Sequence, residues 1–143
     1  MTKFSSAALI TLGAALATGS AIAQYRAIAA PAGWVGFYSA HIEGGAHGEI
    51  TVVRQPDPRA PYRLNINMWT GMQRRDWCNG ELAGSGGPVE PRRLIFSIPN
   101  EFREGACRIT LTRMRNGVRV EEDNCLDFHG FSCAFDGTAQ RRR

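Results

Sequence analysis

The residues with chemical potential fall in three short clusters. His41-Ile42-Glu43 and His47-Gly48-Glu49 flank Gly44-Gly45-Ala46. Alternation along an extended chain puts His41 and Glu43 on one face, and His47 and Glu49 likewise, so each pair offers imidazole and carboxylate ligands to a metal. A third imidazole would have to come from distant His129. A polar hairpin with a glycine-rich tip and solvated His and Glu accounts for the same residues, and neither a metal nor another cofactor is expected. In Asp127-Phe128-His129-Gly130 a carboxylate stands where it could orient an imidazole as a general base. No activated nucleophile accompanies it, because Gly84-Ser85-Gly86-Gly87 lacks the strand-turn-helix setting of a nucleophile elbow. Glycoside hydrolysis needs two carboxylates at a set separation across a cleft. Glu101, Glu104 and the run Glu121-Glu122-Asp123 read instead as solvated acidic edges. No catalytic residue is assigned and no enzymatic activity is expected.

A second kind of chemistry is recognition. Trp34, Tyr38, Tyr62, Trp69 and Trp77 could line a pocket or a partner surface, although several must fill a core. Trp69 follows the polar face set by Arg63, Asn65 and Asn67, so it is expected to be exposed. Met72, Arg74 and Arg75 follow it in a loop that contains Gly71, a composition typical of interface anchors. Trp69, Arg74, Arg75 and Arg103 are therefore the expected partner-binding residues.

These residues must be held by strands. Leu64, Ile66 and Met68 alternate with polar neighbours, as do Cys107, Ile109 and Leu111; Leu94, Phe96 and Ile98 alternate with Ile95 and Ser97, and Val118 and Val120 flank Arg119. Trp34–Tyr38 and Ile50–Val53 have strand composition, and further strands are expected through Asp76–Leu82 and Ser132–Phe135. Asn116-Gly117 predicts a two-residue hairpin turn with φ > 0 at both positions. Pro56-Asp57-Pro58 and Gly84-Ser85-Gly86-Gly87-Pro88 are expected to end strands. No stretch after the first segment carries a sustained 3.6-residue apolar stripe free of Gly or Pro. The expectation is one all-β domain, a small antiparallel barrel of seven or eight strands, with a sandwich as the alternative.

Residues 1–23 read as a secretory signal peptide: Lys3, an apolar stretch over Ala7–Ala17, and Ala21-Ile22-Ala23 before a cut at Gln24. That stretch is too short to span a bilayer, which takes about 20 residues, so no stable membrane anchor is expected. The domain is then residues 24–143, exported to a periplasm. Its four cysteines, Cys78, Cys107, Cys125 and Cys133, fit two disulfides of an oxidising compartment. Of three connectivities, Cys78–Cys107 and Cys125–Cys133 are favoured. Spacings of 29, 18 and 8 residues do not suit zinc.

The net charge of +4 comes from the ends of the chain. Without Lys3 and Arg141–Arg143, 13 Arg face 13 acids, so nucleic acid is not an expected partner. Arg141–Arg143 are expected to form a frayed, solvated tail. A signal peptide, a domain of about 100–120 residues, a disulfide-tied barrel and no catalytic set together resemble the small periplasmic lysozyme inhibitors. In those families a loop carrying Ser and a basic residue enters the hydrolase cleft. Here Ser85-Gly86 is followed by Gly87-Pro88-Val89 rather than the Ser-Gly-x-x-Tyr type motif of one such group, so no residue role is transferred. The resemblance implies a protein partner, a muramidase or an endogenous peptidoglycan hydrolase. The alternative is an envelope barrel that binds a small ligand.

Overall fold

The computed structural model describes residues 33–42, 46–70, 78–131 and 133–143. The signal peptide reading at 1–23, Glu43, and the loop that carries Met72, Arg74, Arg75 and Trp77 lie outside the described residues. Eight strands follow one another: β1 (Gly36–Ile42), β2 (His47–Arg54), β3 (Tyr62–Trp69), β4 (Asn79–Glu90), β5 (Arg93–Pro99), β6 (Ala106–Arg113), β7 (Gly117–Asp123) and β8 (Gly137–Arg141). Each pairs antiparallel with the next, and β8 returns to β1, so the sheet closes into a barrel. Closure removes the exposed edges that a sandwich of this size would leave.

Alternation decides which side chains fill the barrel. Tyr62, Leu64, Ile66 and Met68 of β3 point in, while Arg63, Asn67 and Trp69 point out. Phe96, Ile109, Leu111, Val118 and Val120 continue the lining around the circle. The expected strand end at Gly84–Pro88 is corrected: these residues lie in the middle of β4, the longest strand, with 12 residues. Gly80, Gly84 and Gly86 share the inward parity of Leu82. They are small because their partners are large. A Cβ on Gly84 would lie 2.3 Å from Ile98, and one on Gly80 would lie 2.5 Å from Met68. The glycines make room inside a narrow barrel instead of breaking a strand.

Three further expectations change. The β6–β7 hairpin sits where Asn116-Gly117 predicts it, with Arg113 opposite Val118. Asn124 is the only non-glycine residue with positive φ among the described residues, however, so the turn is not the double-positive type. Gly117 is instead required sterically, since a Cβ there would meet the Ala139 carbonyl oxygen at 1.9 Å. The last strand is Gly137–Arg141, not Ser132–Phe135, because Phe135 is withdrawn into one mouth of the barrel. Arg141 belongs to β8, and Arg142 bonds Ser39 Oγ and Glu49 at 2.6 Å each, so they do not fray.

The disulfides are Cys78–Cys133 and Cys107–Cys125, with Cα–Cα distances of 5.5 and 4.4 Å. The favoured pairing is corrected on geometric grounds. Cys78 leads into β4 and Cys107 lies in β6, and β5 runs between those two strands. One intervening strand implies about 10 Å, beyond the limit of about 7 Å for a bridge. Cys107 therefore joins Cys125, just beyond neighbouring β7. Cys133 reaches Cys78 because the 124–136 connection folds back over the barrel mouth, where Gly80 forms a bridge with His129.

Candidate partner-binding surface

Both disulfides brace the same end of the barrel. The 124–136 connection covers that mouth with Phe135, fully buried, and with the partly buried Phe128. Phe131, in the same connection, is instead 88% exposed. Asn124 turns the chain out of β7 at φ 59°, a conformation that Asn tolerates, and its side chain donates to the Glu104 carbonyl at 3.3 Å. Loop 100–105 is thereby joined to the plug.

The polar centre of this end is a pair that no spacing in the sequence reveals. His129 does not use Asp127 as its carboxylate. Its Nε2 lies 2.9 and 3.0 Å from the two Glu122 oxygens, and its Nδ1 lies 2.9 Å from the Gly130 carbonyl oxygen. Glu122 also accepts the Phe135 backbone N–H at 2.7 Å, while its own N–H donates to Asp136 at 3.1 Å. Burial pushes the His129 pKa down, but the hydrogen bonds to Glu122 and Gly130 and the charges of Glu122 and Asp136 outweigh it, so the pKa is raised. Both ring nitrogens face acceptors, as an imidazolium requires. Glu122 was expected at a solvated edge. Its parity with Val118 and Val120 in β7 was the signal that it faces inward.

Asp127 has a different task. Its side chain is buried, accepts the Phe102 N–H at 2.8 Å and pairs with Arg103 Nε at 3.2 Å. The Arg103 guanidinium lies 5.9 Å from the Phe131 ring centre. Its terminal nitrogens carry no partner among the described residues. Phe102, next in sequence, is 84% exposed. A groove of about 460 Å³ runs beside these groups, with Trp69, Met68 and Phe128 as apolar wall and Glu81, Glu101 and Asp127 as carboxylates. Trp69 is 42% exposed at the end of β3, as its outward parity requires. Trp69 and Arg103 thus reach one surface through Asp127, which lines the groove and holds the arginine.

The three histidines do not gather. His41 and His47 are opposed across β1 and β2, with ring centres 5.9 Å apart, whereas His129 is enclosed with Glu122. Among the described residues no group of three metal-ligating side chains forms.

Fold and surface together define a class: a small antiparallel barrel with a filled interior, cross-linked at one end and carrying exposed aromatics there. No protein family, curated protein or solved structure matches the chain.

Proposed function

We propose that this protein is an exported interaction protein that binds a protein partner through its disulfide-braced end. The observation that carries the reading is the exposure of Phe102 and Phe131 on either side of Arg103, with Trp69 on the adjoining groove. Solvating two phenylalanines is unfavourable, and burying each against a partner returns roughly 2 kcal/mol. Arg103 is held by Asp127 through Nε alone, so its remaining donors are pre-aimed and lose little entropy on binding a carboxylate. The two disulfides keep the loops in place and favour an oxidising compartment, in keeping with export to a periplasm. The resemblance to lysozyme inhibitors names the partner class, a muramidase or endogenous peptidoglycan hydrolase. Its catalytic carboxylates would receive Arg103.

The filled lumen counts against the alternative of a ligand held inside the barrel, since even a methyl group on Gly84 would lie 2.3 Å from Ile98. The test is inhibition of a panel of muramidases by a molar excess of purified protein, repeated with Arg103→Ala and Phe131→Ala. Inhibition relieved by both substitutions supports the reading. Unchanged activity across the panel, with no complex formed, overturns it.

A further inference from the structure

The opposite end of the barrel has a different chemistry. Gly33, the β6–β7 turn and the end of β8 enclose a cleft of about 810 Å³, lined by Arg113, Arg115, Arg141, Arg142 and Arg143, with no Asp or Glu in its lining among the described residues. Only some of this charge is used by the fold. Arg142 pairs with Glu49, and Arg141 donates to the Val35 carbonyl at 2.7 Å. Arg115 and Arg143 are exposed and carry no partner among the described residues.

Arg113 is the central group. Its guanidinium stacks on the Trp34 ring, 4.5 Å from the ring centre, and one terminal nitrogen is shut off from solvent without an acceptor. The indole nitrogen of Trp34, a fully buried residue, lacks one too. Buried donors are almost always satisfied, so the unmatched Arg113 nitrogen adds to a charge that no carboxylate pairs among the described residues. The field reaches Tyr38 in the same wall: burial raises its pKa, while the charges of Arg141 and Arg113 act to lower it. Asn116 and Gln140 add neutral amide donors to the lining.

We propose that this cleft binds a small, multiply charged oxyanion, drawn by the charge of Arg113 and held by hydrogen bonds from Arg115 and Arg143 closing over it. Guanidinium forks match the paired oxygens of phosphate and carboxylate alike. The volume exceeds that of a single phosphate and is within the range of small-molecule sites, which points to an anion with several charged groups. The site is independent of the partner surface at the disulfide-braced end, and either proposal stands if the other fails.

The test is isothermal titration of the purified chain with tripolyphosphate and, separately, with citrate, at about 20 mM and about 150 mM salt. Binding of one or both is expected at low salt, weaker at high salt. Response to tripolyphosphate alone assigns the site to phosphates, response to citrate alone to carboxylates, and response to both to oxyanions in general. Arg113→Met keeps the aliphatic stack on Trp34 and is expected to weaken binding roughly tenfold or more. Because Arg113 also packs on Trp34, the exposed pair Arg115→Gln with Arg143→Gln provides a second reading, and each should weaken binding several-fold; Arg63→Gln, on the outer face of β3, should not. Absence of binding by either anion at low salt overturns the proposal, as does unchanged binding in both the Arg113 variant and the double variant.

Discussion

Replacing Glu122 with alanine gives the sharpest check on how the plugged mouth is held. The substitution removes the acceptor of the Phe135 N–H and the only carboxylate that contacts the His129 ring among the described residues. The His129 side chain is fully buried and that of Glu122 is 13% exposed, so water replaces neither bond easily. An unsatisfied buried N–H costs about 1–3 kcal/mol, and breaking a buried charge pair costs about 3–5 kcal/mol. The imidazole can escape part of the second cost by releasing its proton, so the sum is smaller than the two ranges suggest. A loss of about 4 kcal/mol is expected at pH 6. The sign with pH follows from the raised pKa of His129. Stabilisation by the pair is complete below the unfolded value of about 6.5 and is lost as pH rises through the higher folded value. At pH 8.5 the loss should shrink to about 2 kcal/mol, that of the Phe135 donor. At about 5 °C per kcal/mol for a domain of this size, thermal melts should fall by about 20 °C at pH 6 and about 10 °C at pH 8.5. Circular dichroism melts of the oxidised protein at the two pH values measure both. A loss under about 1 kcal/mol at pH 6, or a loss that grows with pH, would refute the pair as the clamp of the plug.

Peptide mapping without reduction should link Cys78 to Cys133 and Cys107 to Cys125. Chain-entropy estimates for separations of 55 and 18 residues give about 4 and about 3 kcal/mol, so removing the first bridge should cost more in urea unfolding. A Cys125–Cys133 fragment would disprove the fold-back of the plug. Gly86→Ala should destabilise by about 2 kcal/mol or more, because its Cβ would lie 2.1 Å from the Ile95 carbonyl oxygen, and backbone yields less readily than a side chain. A wild-type melting temperature for that variant would show that the barrel has slack beside β4. Phe102→Ala should leave stability within about 0.5 kcal/mol yet weaken partner binding. Equal affinity for the two proteins would remove Phe102 from the surface.

The strands were legible because alternation is a local property. Leu64-x-Ile66-x-Met68 and Cys107-x-Ile109-x-Leu111 state their inward faces without reference to any neighbour. The glycines of β4 misled for the same reason. Read locally, Gly84-Ser85-Gly86-Gly87 is a turn, and only Ile98 and the Ile95 carbonyl oxygen opposite explain why side chains are excluded there. Glu122 shows the same division. Its parity with Val118 and Val120 was readable, yet its partner His129 arrives from a connection whose path no spacing rule predicts. Exposed Trp69 was readable from its parity, but that Asp127 holds Arg103 rather than standing beside the His129 ring was not.

Composition and period by themselves determine an all-β domain of a small antiparallel kind, four cysteines able to pair, and a body whose charges cancel. They do so because burial of alternate side chains and matching of charge depend only on residue type and order. Which cysteines meet, which carboxylate serves the buried imidazole, and where five arginines converge are decided only by closure of the barrel. Closure joins β8 to β1 and folds the plug across one mouth, setting side by side residues far apart in the chain. The +4 of the whole sequence shows the difference. Three of those charges read as a loose basic tail, and the closed sheet gathers them with Arg113 and Arg115 into one cleft.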